Sequence, residues 1–430
     1  MKFRKAAVKL INLSWSFADQ GVVSAGNFLL NMFLARVLTP RSYGTFAMFY
    51  LATLGANTIH SSVVTYWLSV TGANANGVTV RRLLIGALAI TSVWALPFSL
   101  IILIASVVVH DFSLWIPATI AMVAWQWQES ARRGLLCQAR YRSAVLPDAL
   151  SYLGQAAIVG VLRPTSLLVV FWVMAITSIL GLLWQGALIG VGKVTIAGLK
   201  SDFVESFHLG RFIAVANGMN MLILQIPSWS LLASTGKGGV AAFQALMNVV
   251  GAANPLLLGL SNHLIPAVAR AANRGVAAAR RVVAVDGSAA GAILLVYMVA
   301  ILLIPVQIMS LIYGHKSPYI SSAPLLKWFV VVYAFQFAAA LVGAYEGGLG
   351  RTTSYMHSQF ASLVSLCVAG VPLIFKYGVP GAVVAAVIVY FMRFVVVTAL
   401  SYRHDQTFRN LQVEMRPDAE TSGQPLSPNV

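Results

Sequence analysis

Ser16, Gln20, Ser24, Asn27 and Asn31 recur every three or four residues through an otherwise apolar segment, and Asp19 sits beside them. At ~100° per residue the five project at about 0, 40, 80, 20 and 60°, and Asp19 falls about 60° outside that arc. Such amides and hydroxyls exchange hydrogen bonds with polar solutes, and a carboxylate can take up a proton or a sodium ion. Each amide or carboxylate turned toward lipid would cost several kcal/mol, so the stripe must face protein or water. Hydrogen bonding between membrane helices is one use for single amides. A continuous stripe with an ionisable residue at its edge suits the wall of a hydrated cavity better.

The elements that position this stripe follow from composition. Of 430 residues, 59% are hydrophobic and 10% are charged, and the mean hydropathy is +0.80. Soluble domains carry roughly 25% charged residues, so this chain cannot cover a water-facing surface and belongs to the membrane class. The net charge of +17 would suggest nucleic acid in a soluble protein, but here the basic residues lie mostly between apolar stretches. No secretory cleavage pattern follows the basic Met1–Lys9 segment, so the first apolar stretch is expected to remain as a membrane helix. The two cysteines, Cys137 and Cys367, have no CxxC spacing and imply neither a disulfide framework nor a metal site.

A bilayer core needs about 20 mostly apolar helical residues. Twelve stretches meet that need: 12–35, 44–68, 83–109, 113–131, 146–162, 166–190, 209–232, 240–263, 284–305, 324–343, 355–375 and 380–402. The fifth is short. Of the 29 Lys and Arg residues, 20 fall on the two termini and the connections leaving even-numbered spans, and 6 on the alternate connections. Arg211, Lys327 and Arg393 fall within spans. The asymmetry places both termini in the cytoplasm. After Arg403 the polar, Pro- and Ser-containing sequence reads as a disordered tail.

A shift of 197 residues lays Phe46 on Phe243, Ala56 on Ala253, Asn57 on Asn254 and Gln20-Gly21 on Asn217-Gly218. Two parallel six-helix repeats would give this offset. The expected architecture is therefore an all-α integral membrane protein of about twelve transmembrane helices. Its two six-helix lobes, 1–197 and 198–403, surround a central cavity, and a tail covers 404–430. Asn217, Asn220 and Gln225 give the seventh helix a second polar face, suited to a cavity between lobes.

Other charged and aromatic residues have more ordinary readings. Glu129 precedes Arg132 and Arg133 by three and four residues and is expected to pair with them. Lys327 can snorkel to an interface. Arg211 and Arg393 stand between snorkelling and a cavity role. His60 and His263 are read as core or interface residues near the outer ends of their spans, and Trp125 and Trp127 as belt tryptophans. There is no GxxxxGK[ST], HExxH or GxSxG motif and no carboxylate pair within a span, so a gradient-driven transporter fits better than an enzyme. No cofactor is implied.

The run "LARVLTPRSYGTFAM" from Leu34 to Met48 resembles the first inter-helix loop of polysaccharide flippases, roughly A-R-x-L-G-P-x-x-Y-G-x-F. Ala35, Arg36, Leu38, Pro40, Tyr43, Gly44 and Phe46 match, and Thr39 stands where glycine is usual. "ESARRGLLCQARYRSAVLPDAL" resembles the basic connection after the fourth helix of the same proteins. With its twelve spans the chain, to about Arg403, is similar to the polysaccharide transporter or O-antigen flippase (Wzx-like) family of the MOP (MATE-like) superfamily. That resemblance implies a bacterial inner-membrane exporter working by alternating access, moving a polyprenyl-pyrophosphate-linked oligosaccharide to the periplasmic leaflet. Its implied partners are that lipid-linked oligosaccharide and membrane lipids, with H+ or Na+ coupling and other polysaccharide-assembly proteins as further candidates. Arg132, Arg133, Arg140 and Arg142 would meet the pyrophosphate, or else serve orientation and anionic-lipid contact. Gln20, Asn27, Asn31 and Asn217 would meet sugar hydroxyls. The alternative is a cation-coupled drug exporter of the same fold, with Asp19 as the coupling carboxylate. A membrane glycan polymerase or ligase needs a large external loop that this chain lacks, and a scaffold protein would pack the stripe dry.

Overall fold

Helix covers each of the twelve expected spans in the computed structural model, which describes residues 2–73, 75–190 and 192–414. The first half comprises α1 (Lys2–Val37), α2 (Pro40–His60), α3 (Tyr66–Gly72), α4 (Gly77–Val108), α5 (Trp115–Cys137), α6 (Tyr141–Asp148), α7 (Gly154–Leu162) and α8 (Leu167–Ile189). The second half comprises α9 (Ile196–Gly251), α10 (Asn254–Ala272), α11 (Val276–Leu303), α12 (Pro305–Tyr313), α13 (Leu326–Gly348), α14 (Thr352–Ser365), α15 (Val371–Tyr377) and α16 (Val379–Glu414). Eight helical stretches are long and apolar enough to cross a bilayer among the described residues. The passages that miss this measure include α2, α5 and α10, which carry His60, Glu129, Arg132 and Arg270. The helices run up and down between two ends. The basic end holds the connections that follow Gly72, Cys137, Ile189, Ala272 and Gly348.

Several boundaries have local causes. Thr39 caps α2, its hydroxyl accepting the Ser42 N–H at 3.2 Å, and Pro40 fills the first helical position. At Thr39 φ is −63° and ψ 154°, ordinary extended backbone, so this turn has no need of glycine. The seventh and eighth spans meet at Gly236, whose φ of 73° and ψ of −170° suit a residue without Cβ. The fifth passage is longer than expected: α6 and α7 join through a π-helical turn, Ala149–Leu153, into one unbroken helix. Expected repeat boundary 197/198 falls in the first turn of α9, which crosses it without interruption.

The halves echo each other beyond the 197-residue shift. Glu129 and Glu346 are 217 residues apart, and so are the starts of the π-turns at Ala149 and Leu366. Most of the difference from 197 lies between α11 and α13, where α12 and the 3-10 turn Pro318–Leu325 stand in place of the short α4–α5 connection. Residues 404–414 continue α16 as helix, a correction to the disordered tail expected from 404. Two side chains there have partners in the lobe: Asp405 holds Arg280 and Arg351, and His404 contacts Glu346. Residues 415–430 lie outside the described residues.

Candidate substrate cleft

The polar stripe of α1 loses exposure along its length. Gln20 is exposed, Ser24 and Asn27 are half-buried, and Asn31 is buried; the Ser16 side chain lies outside the described residues. The polar face of α9 shows the same order: Asn217 is exposed, Asn220 and Gln225 are half-buried, and Ser228 is buried. Both helices leave the basic end at the exposed side of these series. Their polar faces are accessible toward that end and shut toward the other.

The closure is built from the "LARVLTPRSYGTFAM" segment. Arg36 donates from Nε to the Ile312 carbonyl and from Nη2 to the Leu311 carbonyl, both at 2.5 Å, tying α1 to α12 of the second half. Tyr43 is fully buried, its ring 6.0 Å from that of Tyr319, which in turn meets Tyr313 at 5.6 Å. The Tyr43 hydroxyl donates to Asn31 Oδ1 at 3.5 Å, and Asn31 Nδ2 donates to the Asn27 carbonyl. Gly44 permits the closest approach, since a Cβ there would lie 1.9 Å from the Lys237 carbonyl oxygen. Arg36→Gln should weaken this seal, because a shorter neutral amide cannot bond two carbonyls as a charged fork does. A cysteine at Asn31 should then react faster with a membrane-impermeant maleimide than it does in the Arg36 background, with Cys137 and Cys367 first replaced by serine. Equal labelling rates would show that the two carbonyl bonds do not hold the seal.

Asp19 does not share the cleft-facing side of α1. Together with Gly26, whose Cβ would meet the Tyr152 backbone at 2.6 Å, it faces the fifth passage. Asp19 is 1% exposed, and its Oδ2 lies 2.5 Å from Arg132 Nη2. The same guanidinium reaches Asp148 Oδ2 at 2.8 Å and Glu129 Oε2 at 3.0 Å. Gln128 and Gln185 donate to Asp148 Oδ1 at 3.1 and 2.8 Å, and Ser151 donates to Gln128 at 2.7 Å. Arg133 completes the local pairing with Glu129 at 3.3 Å, as the i, i+3 and i, i+4 spacing suggests. One arginine thus bridges three carboxylates from the first, fourth and fifth passages. Asp148 was not singled out in the sequence; the signal was an acid three residues inside the expected fifth span.

The remaining arginines separate. Arg140 donates to the Leu188 carbonyl at 2.7 Å. Arg142 is exposed and lies over the Trp15 ring at 5.6 Å. Arg211 is exposed and lies over Phe212 at 4.8 Å. Arg393 stays inside the second half: its Nη2 donates to Gln359 Oε1 and, at 3.4 Å, to Asn220 Oδ1. Its Nε–H is buried without an acceptor. Asn217 reaches across to Ser62 Oγ at 3.0 Å, and Gln225 accepts from Trp229 at 3.2 Å. Asn27 lines a small pocket in the first half with Tyr50, Trp125 and Tyr152. Trp125 and Trp127 are interior hydrogen-bond donors, to the Tyr152 hydroxyl at 2.7 Å and the Leu88 carbonyl at 3.3 Å, instead of a belt.

His60 is also displaced from the outer position expected of it. The chain enters α2 at the far end and leaves α3 at the basic end, so His60 lies in the basic half, fully buried against Thr91 at 2.9 Å. The second half has its own buried carboxylate that the sequence reading passed over. Glu346, 1% exposed, accepts from Ser401 at 2.8 Å and Ser354 at 3.0 Å and contacts His404 at 2.9 Å. A lone acid in the apolar run of α13 was the available signal. Among the described residues no cluster of three or more His, Cys, Asp or Glu could hold a metal ion.

Comparison with solved structures places this arrangement in a class. An inward-facing MATE family transporter of the MOP superfamily is similar at a TM-score of 0.72 and 13% identity, over 90% of this chain and 95% of that one. An outward-facing MATE family transporter is similar at 0.61 and 14%, over 93% and 96%. A MOP superfamily transporter from Pyrococcus furiosus, whose binding pocket of reverse polarity suggests a different function, is similar at 0.62 and 13%, over 93% and 96%. No family model and no curated protein matches the sequence. The chain is a multi-pass helical membrane protein whose fold is like that of these MATE-type transporters.

Proposed function

We propose that the chain is a transporter that moves a polyprenyl-pyrophosphate-linked oligosaccharide from the cytoplasmic to the periplasmic leaflet of a bacterial inner membrane by alternating access. The observation that carries this reading is the charge of the cleft. Asp19, the carboxylate a cation-coupled exporter would use, is bound to Arg132 inside the first lobe. The exposed groups on α1 and α9 are the amides Gln20 and Asn217 and the cation Arg211, and Asn220 and Arg393 lie half-buried together. Such a surface suits an anionic head with sugar hydroxyls. Arg132 is committed to three carboxylates, so first capture of the pyrophosphate falls to Arg133 and Arg142 at the basic end, read as cytoplasmic from the distribution of Lys and Arg. Gln20 and Ser24 receive sugar hydroxyls where the stripe is open, while Asn31 serves the closure.

Arg393→Gln keeps an amide beside Gln359 and Asn220 but removes the charge. It should slow transfer of a labelled polyprenyl-pyrophosphate oligosaccharide across proteoliposomes at least tenfold, about 1.4 kcal/mol of lost stabilisation. An unchanged rate removes Arg393 from the substrate path. The wild-type vesicles carry the second arm: proton- or sodium-driven efflux of a cationic dye, with no transfer of the glycolipid, would replace the flippase reading by the exporter one.

A further inference from the structure

Away from the cleft, a groove of about 530 Å3 runs between α11, α13 and α16. Its helices pack within their own lobe, α11 on α10 and α13, and α13 on α16. The same helices expose Val285, Ile293, Phe391 and Val395, as lipid-facing helices do. One end of the groove is polar, with Arg280, Tyr345, Ser401 and Asp405; from Val283 to Gly291 it is lined by small and apolar side chains, with Phe337, Leu341 and Phe394 opposite. The polar end lies at the basic end of the molecule. From Arg280 to Gly291 the helix rises about 16 Å, at ~1.5 Å per residue. That is close to half of a hydrocarbon core of ~30 Å, the depth one acyl chain occupies in its own leaflet.

We propose that this groove binds one anionic phospholipid of the leaflet at the basic end, with an acyl chain along α11 and the phosphate at Arg280. The surplus of cations around the polar end favours an anion. Asp405 is held by Arg280 at 2.5 Å and by Arg351 at 3.0 Å, and Arg351 also meets Glu346 at 3.5 Å, so these groups balance and the surplus lies with the exposed arginines beside them. The Arg280 side chain remains 48% exposed, so its other donors face the headgroup region, and the adjacent Arg281 is exposed as well. Arg270 and Arg274 precede them, also exposed. A polyprenyl chain spanning more than one leaflet would overrun a groove of this length. The ligand is therefore a membrane phospholipid distinct from the transported solute, and its seat on α11, α13 and α16 fixes how the second lobe sits in the bilayer.

The test is native mass spectrometry of the full chain, delipidated in neutral detergent and titrated separately with phosphatidylglycerol and phosphatidylcholine. The wild type should hold one phosphatidylglycerol at least tenfold more tightly than phosphatidylcholine. Ala284→Trp, which fills the groove from an exposed position, should lose that bound lipid. Arg280→Gln keeps a hydrogen bond for Asp405 and should abolish the preference for phosphatidylglycerol while leaving phosphatidylcholine binding unchanged. Ser288→Leu serves in the same role if Ala284→Trp does not elute as a monodisperse protein. Equal retention of phosphatidylglycerol by the wild type and the filled groove would overturn the site. Equal affinity for the two phospholipids would overturn the role of Arg280. Displacement of phosphatidylglycerol by an equal concentration of polyprenyl phosphate would overturn the choice of occupant. Lipid retention is read without transport, so the outcome stands whatever solute crosses the cleft.

Discussion

Arg132→Ala should destabilise the first lobe by about 3–5 kcal/mol, the range for removing one partner of a buried ion pair. It should appear as a large fall in the thermal unfolding midpoint and in the yield of folded protein. The reason is the company Arg132 keeps. Its guanidinium lies 2.5 Å from Asp19, 2.8 Å from Asp148 and 3.0 Å from Glu129, with 5% of the side chain exposed. Removing it leaves three carboxylates from three helices with Arg133 as the remaining ion-pair partner among the described residues, in an interior that cannot hydrate them. Arg132→Lys should fall between, since an ammonium keeps the charge but cannot fork toward three partners. Asp19→Asn removes one acid while keeping its shape and should cost less than Arg132→Ala. It should also leave glycolipid transfer intact. A stable Arg132→Ala protein would show that the cluster does not hold the lobe together, and loss of transport in Asp19→Asn would return Asp19 to the coupling role.

Gly44→Ala should open the far end of the molecule. The new Cβ would stand 1.9 Å from the Lys237 carbonyl oxygen and 2.7 Å from its carbon, both main-chain atoms that no rotamer can move. Overpacking of this kind costs about 1–3 kcal/mol. Charged only to the closed state, it would shift the balance between closed and open forms by about 5- to 150-fold. Spin labels at Arg41 and Lys316, exposed positions on opposite halves near the closure, provide the readout. Their distance distribution should move to longer separations in Gly44→Ala, with Cys137 and Cys367 replaced by serine. An unchanged distribution would mean that α2 and α9 relax locally without parting.

The "LARVLTPRSYGTFAM" segment has a physical content that neither its composition nor its spacing displays. Tyr43 and Gly44 meet Tyr319 and Lys237, residues more than 190 positions away, so only tertiary contact explains why an aromatic ring is followed by a residue without Cβ. Thr39, where the flippase resemblance leads one to expect glycine, caps α2 with its hydroxyl. The stripe on α1 was more legible. Its angular arc separated the amides and hydroxyls from Asp19, and in the structure Gln20 is exposed while Asp19 is buried against Arg132. The stripe's function divides along its length, which periodicity alone cannot show, because one end is open and the other is sealed by the second half.

The all-α membrane class is a local property of the sequence, since apolar length and helical period act within each segment. The pairing of Glu129 with Arg132 and Arg133 belongs with it, being set by one turn of helix. Asp19 with Arg132, Arg393 with Gln359, and Glu346 with Ser401 depend on which helix faces which. Those pairings join residues 34 to 113 positions apart. A buried charge takes the partner that packing brings within reach, and packing is decided by the whole lobe.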